Sequence, residues 1–341
     1  VSELAALFDV RKPTGKAKAA VKPGDILHIH STLGHYLDNA ISMSAAAKAA
    51  GLQIAATIHD FSWICPRVQM LRWGTDYCGL PNLAACDSCV SQGTFSFDIK
   101  TPDIENGIEG WLARNLEILK LADVIISPSE FPKEAILARF PDLDVKFVPH
   151  FSDWVEADVK PIAKLTETDR YRVGFVGAIG DNKGFGLLLR FAEEVYQRQL
   201  PIDIAIVGYT RNDEQLKQVN PQVQITGPYE ADSLTDLLGP LELDFCMNFS
   251  IWPETFCYTI SECWQAGLPV VSIDLGAQGD RVKKSGTGAV IPLADARRDI
   301  AGAVMAVLQK GTKGGKVTNE IDGASYIAQV FDRFAAEEVR S

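Results

Sequence analysis

Short apolar runs alternate with helical stretches along the first half of the chain. The runs DILHIH (25–30), QIAATIHD (53–60), DVIISPS (123–129) and VKFVPHF (145–151) are rich in β-branched residues. Runs of this length and composition predict buried strands, and the Ala-rich or amphipathic stretches between them predict helices. Strands that alternate with helices predict a parallel sheet.

The second half repeats this rhythm. It begins with YRVGFVGAIGDNKG (171–184), which predicts a strand that runs into a glycine-rich loop and a helix. Further strands are predicted at residues 202–208, 223–229, 243–250, 269–274 and 288–293. Helical patterns separate these runs, so the whole chain is predicted to form two doubly wound α/β domains.

The length of 341 residues also favours two domains over one core. The stretch from Asp153 to Arg170 is polar and has no clear period, which predicts the linker. We expect an N-terminal domain at residues 1–155 and a C-terminal domain at residues 165–325. A C-terminal helix at residues 325–341 is expected to pack back on the first domain.

The N-terminal domain is expected to be incomplete. Residues 1–24 supply no convincing strand, which leaves about four strands where a sheet of this type has roughly six. Ligands of such folds bind at the carboxyl ends of the strands, so the cleft between the two domains is the expected site.

Composition narrows the class of protein. Apolar residues make up 47% of the chain and charged residues 23%, as in ordinary globular proteins, and no run of 18 apolar residues predicts a membrane span. The net charge of −11 argues against a nucleic-acid binder. The scattered cysteines and the missing signal peptide favour a cytoplasmic protein. The locally basic segment Arg11–Lys22 leaves open a peripheral position at the inner face of a membrane.

The glycine-rich loop is the first candidate for chemistry. It contains Gly177, Gly180, Lys183 and Gly184, and it lies between a predicted strand and a predicted helix. Free backbone N–H groups, a helix dipole and a lysine suit an oxyanion. The spacing fits neither the dinucleotide fingerprint nor a P-loop. The alternative is a plain turn whose glycines adopt positive φ.

Two carboxylates, Glu254 and Glu262, flank an apolar stretch in WPETFCYTISECW. Pro253 and Thr255 around Glu254 predict a helix start, which places Glu254 in the first turn and Glu262 two turns later, rotated by about 80°. Two carboxylates can accept hydrogen bonds from sugar hydroxyls. The alternative is that Glu254 supports the helix dipole and Glu262 is solvated.

The segment PETFCYTISECWQAGLPVV resembles the Glu-x7-Glu signature of retaining GT-B glycosyltransferases of glycosyltransferase family 4. FVGAIGDNKG, DILHIH, AATIHDF, ADVIISPSEFPKEAI and VPHFSD resemble further segments of that family, from about residue 25 to the end. The resemblance implies a GT-B fold, in which two Rossmann-like domains face a cleft. It also leaves open that the chain is a module of a longer polypeptide.

The resemblance implies a donor site made of residues in the C-terminal domain. Glu262 would bind the ribose of a nucleotide-diphosphate sugar, and Glu254 would hold hydroxyls of the transferred sugar. The backbone of Thr255, Phe256 and Cys257 would meet the distal phosphate, beside Gly177 and the cation Lys183. His59 from the other domain would contact the donor sugar near its reacting carbon, so His59, Glu254 and Lys183 are the expected catalytic residues.

Two residues depart from the family pattern. Ala178 stands where the family often has an arginine, so one diphosphate cation is missing, and Arg281 is a candidate to replace it. Cys257 stands where the family has glycine, which narrows the approach to the phosphate.

Four cysteines form a separate group with the spacing C-x12-C-x7-C-x2-C: Cys65, Cys78, Cys86 and Cys89. A structural zinc site, a disulfide and free thiols are all open interpretations. The same loop carries Arg67, Arg72, Trp73 and Tyr77, a mixture suited to an acceptor sugar or a partner surface.

The expected function is that of a retaining glycosyltransferase. It would move a sugar from a nucleotide-diphosphate sugar to a glycan or a lipid-linked acceptor in surface polysaccharide synthesis, with no cofactor and no catalytic metal. A nucleotide-sugar epimerase or a phosphorylase would keep the fold with a different reaction. A second class of function is a non-catalytic nucleotide-sugar-binding or scaffold module of a larger glycan-assembly protein.

Overall fold

The computed structural model describes residues 22–33, 36–93, 106–151, 154, 156–166, 170–230, 234–319 and 321–335. These residues fall into two compact units. The first comprises the described residues up to Trp73, Cys78–Pro149 and those from Ala324 on, and the second comprises Gly74–Tyr77 and His150–Gly323. In the described part of the chain, no helix is both long and apolar enough to cross a membrane.

The first unit contains a four-stranded parallel sheet. Its strands are β1 (Ile26–Ile29), β2 (Gln53–Thr57), β5 (Val124–Ser127) and β6 (Val145–Phe147), in the order β1-β2-β5-β6. All four confirm strands predicted from the sequence. The two central strands are apolar along nearly their whole length because helices cover both faces of a parallel sheet.

The helices α1 (Leu37–Ala49), α2 (Leu83–Ser91), α3 (Gly107–Leu121), α4 (Glu130–Leu137) and α12 (Gly323–Ala335) accompany this sheet. Two short strands, β3 (Leu71–Arg72) and β4 (Asp76–Tyr77), lie between β2 and α2 in the sequence. Helix α12 packs on the first unit, where the ring of Phe331 meets that of His28 edge-on at a centroid distance of 5.7 Å. The last six residues of the predicted C-terminal helix lie outside the described residues.

The second unit contains a six-stranded parallel sheet. Its strands are β8 (Tyr171–Ile179), β9 (Ile202–Thr210), β10 (Gln224–Ile225), β11 (Phe245–Asn248), β12 (Val270–Asp274) and β13 (Ala289–Pro292). Their order is β10-β9-β8-β11-β12-β13, which is the 3-2-1-4-5-6 order of dinucleotide-binding folds. The order reverses between β8 and β11, and the predicted doubly wound sheet is therefore present.

Seven helices of the second unit are described: α5 (Phe185–Gln197), α6 (Asp213–Val219), α7 (Leu234–Leu238), α8 (Tyr258–Gln265), α9 (Gly276–Ser285), α10 (Leu293–Arg298) and α11 (Ile300–Lys310). A two-stranded antiparallel sheet pairs β7 (Glu156–Val159) with β14 (Gly315–Thr318). Part of the stretch expected to be linker is therefore a strand of this unit, held by backbone pairing that a polarity pattern does not reveal.

Alternation along the strands gives the second unit a core on each face of its sheet. In β8, Val173 and Phe175 belong to one buried cluster with α5 and α11. The neighbouring strand sends Ala205 and Val207 to the opposite cluster, which includes the apolar face of α8. Successive side chains of a strand point to opposite faces, so strands covered on both sides become continuously apolar.

Candidate functional site

A cavity of about 70 Å³ lies in the second unit at the ends of β8 and β11. Its lining includes Gly177, Ala178, Lys183, Asn248 and Thr259. Open parallel sheets bind ligands outside the carboxyl ends of the strands, at the point where the strand order reverses. The cavity is at that point of the sheet, and Gly177 reaches it in the positive-φ region, at 109°.

Gly184 fixes the loop that presents Lys183. Its φ is 84°, and a Cβ atom at this position would lie 2.0 Å from the carbonyl oxygen of Phe249. A side chain is excluded there, so the chain can turn tightly from β8 into α5. The backbone N–H of Gly184 donates to the carbonyl of Asp181, which closes the turn at 3.0 Å.

Lys183 forms an ion pair with Glu254. The Glu254 side chain is 6% exposed and the Lys183 side chain 33%, so the pair is sheltered on the carboxylate side. Burial is the largest single influence and lowers the pKa of Lys183, but the surrounding acidic groups, with the charge and hydrogen bond of Glu254 foremost, together outweigh it, so the pKa is raised overall. Lys183 therefore remains a cation in the cavity at neutral pH.

Glu254 lies in the loop before α8, and the prediction that it occupies the first turn of that helix is wrong. The helix begins at Tyr258, after Cys257 with φ at 69° in the left-handed region. Such a residue ends helical geometry, so Glu254 and Glu262 do not share one helix. The predicted 80° rotation between the two carboxylates therefore does not apply.

Gln278 in α9 fixes the loop that carries Glu254 through hydrogen bonds to its backbone. It is fully buried, and its Oε1 accepts a hydrogen bond from the backbone N–H of Glu254 at 2.9 Å. Its Nε2 donates to the carbonyl of Trp252 at 2.9 Å. Asn248, at the end of β11, donates to Glu254 Oε1 at 3.4 Å and to Cys257 Sγ at 3.2 Å. These contacts fix the carboxylate beside the cavity.

Sequence reasoning missed both Asn248 and Gln278. Asn248 had a usable signal, because a polar residue at the carboxyl end of a buried strand is a site candidate in this fold. Gln278 had no signal, because it lies 24 residues from Glu254 along the chain and contacts its backbone only.

Arg281 does not point its cation at the cavity. The buried guanidinium donates to the carbonyls of Phe256 and Cys257 at 3.1 and 2.9 Å and to the hydroxyl of Ser261 at 2.7 Å. It also lies 4.0 Å from the centroid of the Phe256 ring. The idea that Arg281 replaces the arginine missing at Ala178 is therefore wrong. The guanidinium is instead hydrogen-bonded to the loop before α8 and to the first turns of that helix.

Cys257 occupies the position where the resemblance called for glycine, and the backbone there has a glycine-like conformation. Its buried thiol lies 3.3 Å from the hydroxyl of Thr259. Burial, reinforced by the charge of Glu254, raises the pKa of Cys257 to about 12. The thiol therefore stays protonated and acts as a small neutral group beside the start of α8.

Glu262 lies on α8, half-buried. Burial raises the pKa of Glu262, and the positive charge of Lys183 opposes that shift. Burial and the Glu262 carboxylate also raise the pKa of Tyr229 to about 12. The second unit thus brings one cation, Lys183, into electrostatic reach of both predicted carboxylates.

His59 lies in the first unit, just after β2. Its ring centroid is 5.4 Å from that of His30, which in turn lies 4.0 Å from that of His28. Burial and these two neighbours lower the pKa of His28 to about 4, and its Nε2 contacts the Thr57 hydroxyl at 2.7 Å. His59 therefore belongs to a group of histidines at the carboxyl ends of β1 and β2.

All seven cysteines lie in the described part of the chain, and none forms a disulfide. Within that part, no group of three or more His, Cys, Asp or Glu side chains is arranged to hold a metal ion as the side chains stand.

Residues 170–310, which contain the cavity and both carboxylates, match the family model described as glycosyl transferases group 1. These residues are therefore similar to a group 1 glycosyltransferase domain. The chain is 24% identical over 237 residues to a GDP-mannose-dependent alpha-mannosyltransferase of Mycobacterium tuberculosis. This alignment covers 66% of this chain and 57% of that protein. It is also 24% identical over 204 residues to the putative glycosyltransferase YtcC of Bacillus subtilis. That alignment covers 52% of this chain and 50% of YtcC.

The chain has a GT-B fold, as the sequence predicted. The crystal structure of HepE from Anabaena in complex with UDP superposes with a TM-score of 0.54 at 15% identity, covering 92% of this chain and 79% of that one. The chain spans about half the length of the two curated relatives, 57% and 50%.

Proposed function

We propose that this protein is a retaining glycosyltransferase that takes a sugar from a nucleotide-diphosphate sugar. The observation that carries the proposal is the placement of Lys183, with Glu254 paired to it, at the cavity where the strand order of the second unit's sheet reverses. A cation and a carboxylate at that point suit the two ends of a sugar diphosphate. The names of the relatives, which include a mannosyltransferase and a protein crystallised with UDP, support the same class of donor.

Lys183 is assigned to the diphosphate. When the sugar–phosphate bond breaks, negative charge develops on the leaving diphosphate, and a fixed cation stabilises that charge in the transition state. The backbone of Thr255, Phe256 and Cys257 lies directly before α8, where the helix dipole favours an anion. In this proposal, these groups take the role that a divalent metal has in other transferases, so no metal ion is required.

The two carboxylates are assigned to hydroxyl groups. Glu254, held by Gln278 and Asn248, accepts from the transferred sugar, and Glu262 accepts from the ribose. A buried carboxylate binds hydroxyls strongly because its charged hydrogen bonds form away from water. His59, which lies in the first unit, is assigned to the donor sugar near its reacting carbon by the family resemblance alone.

The acceptor in this proposal is a glycan or a lipid-linked sugar, and the product belongs to a surface polysaccharide. The protein would act in the cytoplasm or at the inner face of a membrane, alone or with other modules of a longer chain. The donor base is left to experiment, because the relatives include proteins named for GDP-mannose and for UDP.

Calorimetric titration with UDP, GDP and ADP tests the donor site, followed by assays for transfer and donor hydrolysis with the matching nucleotide sugars. We expect one nucleotide to bind the unmodified protein. Glu262→Ala should lower the affinity for that nucleotide at least tenfold. Glu214→Ala, an exposed glutamate on α6, is the matched control and should bind normally. The absence of binding by any of the three nucleotides would refute the proposal.

A non-catalytic nucleotide-sugar-binding module is the second candidate. Ala178 and Cys257 favour it, because the first removes a cation from the cavity lining and the second places a thiol near the start of α8. Nucleotide binding without transfer or hydrolysis of any nucleotide sugar would support this function and exclude the transferase.

A further inference from the structure

Four cysteines of the first unit lie on three neighbouring segments. Cys65 lies in the turn after β2, Cys78 follows β4, and Cys86 and Cys89 lie one helical turn apart on α2. Residues three apart share one face of a helix. Each of the four sulfurs is close enough to influence the others electrostatically.

Backbone N–H groups donate to two of these sulfurs. The N–H of Arg67 donates to Cys65, and the N–H of Leu80 donates to Cys78, in both cases from the residue two positions later. The second turn is strained at Leu80, whose φ of 52° lies in the left-handed region that side chains other than glycine rarely adopt. Strain of this kind is retained where the surrounding structure needs the conformation it gives, and here that conformation keeps an N–H on the sulfur.

Guanidinium groups donate to the other two sulfurs. Arg67 Nε lies 2.9 Å from Cys89 Sγ, and Arg139 Nη2 lies 3.3 Å from Cys86 Sγ. Both arginines are also anchored to carbonyls, Arg67 to Cys89 and Arg139 to Pro81. Burial raises the pKa of the Cys65, Cys78 and Cys86 thiols, and the charge of Arg139 opposes that shift at Cys86. A neutral thiol is a weak acceptor, so these two guanidinium groups would bind thiolate sulfurs more strongly than thiols.

Helix α2 lacks an ordinary apolar anchor. Val90 is the one fully buried residue among its nine, and the half-buried positions are Cys86 and Cys89. A helix this short is not stable by itself and depends on the face it packs. The inward face of α2 is therefore made mainly of cysteine.

We propose that Cys65, Cys78, Cys86 and Cys89 bind one structural zinc(II) ion. Four thiols would each give up a proton to solvent and coordinate the ion as thiolates, in the tetrahedral arrangement that zinc prefers. The centre would carry a net charge of −2, which the charges of Arg67 and Arg139 balance. The four thiols are not arranged around a metal position in this structure, so binding requires the sulfurs to move toward a common point.

Of the three interpretations that the cysteine spacing left open, the proposal selects the structural zinc site over a disulfide and over free thiols. The zinc site would tie α2 to the turns that carry Cys65 and Cys78, and its role would be stability rather than sugar transfer. The proposal is independent of the donor site, which lies in the second unit.

Metal analysis of the purified protein tests the proposal. We expect about one zinc per chain after exhaustive dialysis, retained in the Cys246→Ala control, whose core thiol lies outside the group. Cys86→Ser/Cys89→Ser should lose the zinc. Purified protein that contains no zinc and fails to bind added zinc would overturn the proposal. A visible absorption spectrum typical of an iron–sulfur cluster would overturn it as well.

Cobalt(II) gives a second measurement that does not depend on a folded variant. Cobalt added to zinc-depleted protein should produce the visible bands and the sulfur-to-metal charge transfer of tetrahedral thiolate ligation. An octahedral spectrum would contradict the four-cysteine site. Arg139→Met should weaken zinc binding by about 10–100-fold in a chelator competition, whereas Arg198→Met, an exposed arginine, should not.

Discussion

The ion pair between Lys183 and Glu254 supports a prediction that separates stability from binding. Lys183→Met leaves the Glu254 carboxylate, 6% exposed, without its cation. Loss of one partner costs about 3–5 kcal/mol for fully buried pairs, and an exposed pair contributes about 0.2–1 kcal/mol. Because the lysine side chain is 33% exposed, we expect Lys183→Met to lower the free energy of unfolding by about 1–3 kcal/mol.

The double variant is the decisive comparison. Lys183→Met/Glu254→Gln removes both charges, so no unpaired carboxylate remains and much of the stability should return. The interaction free energy from the double-mutant cycle should be about 1–2 kcal/mol in urea denaturation at pH 7. Nucleotide-sugar binding should not return, because both donor-binding groups are gone.

An exposed pair of the same residue types is the control. Lys316 and Glu156 lie 2.8 Å apart with side chains 62% and 55% exposed. The corresponding cycle, Lys316→Met with Glu156→Gln, should give about 0.2–1 kcal/mol and leave binding unchanged. A Lys183–Glu254 interaction no larger than this control would refute the view that the pair is sheltered. Recovery of binding in the double variant would refute its role in donor binding.

Three further substitutions test the surroundings of the cavity. Burial raises the pKa of Glu262, so the stability linked to its protonated form is present below the unfolded pKa of about 4.3 and is lost as pH rises through the folded pKa. Glu262→Gln should therefore raise the free energy of unfolding at pH 7 but not at pH 4, measured in urea, while nucleotide affinity falls. Cys257→Gly removes a side chain at φ 69° and should tighten nucleoside diphosphate binding in calorimetry, with stability changed by less than about 1 kcal/mol. Gln278→Leu leaves buried backbone groups unpaired and should cost about 2–4 kcal/mol in urea denaturation, whereas exposed Gln222→Leu should cost under about 0.5 kcal/mol.

The opposite results are equally clear. Loss of stability at pH 7 in Glu262→Gln would show that the carboxylate is stabilising where it lies. Weaker diphosphate binding in Cys257→Gly would make the thiol part of the site rather than an obstacle. Equal effects of the two glutamine substitutions would remove Gln278 from its supporting role.

The strands could be predicted because burial on both faces leaves its mark in the sequence. Val173 and Phe175 face one core while Ala205 and Val207 face the other, so the run of apolar residues follows from the layered fold. Lys183 could be placed from its glycine-rich loop. The order of the strands in the sheet could not be predicted from the apolar runs, since it depends on which strands pair.

The start of α8 could not be placed from the sequence. Pro253 and Thr255 are typical of a helix start, but Cys257 adopts a positive φ and delays the helix to Tyr258. The loop keeps that conformation through contacts from α9, where Gln278 and Arg281 donate to its carbonyls. Such long-range hydrogen bonds outweigh local preference and have no local signature.

The preference for a diphosphate over a monophosphate tests the central claim most directly. Lys183 and the start of α8 are assigned to the distal phosphate, so the affinities of UDP against UMP and of GDP against GMP should be compared by calorimetry in the unmodified protein and in Lys183→Met. We predict that the better base prefers the diphosphate at least tenfold, about 1.4 kcal/mol, and that Lys183→Met removes most of this preference. The same preference in both proteins would contradict the assignment of the cavity to the donor diphosphate.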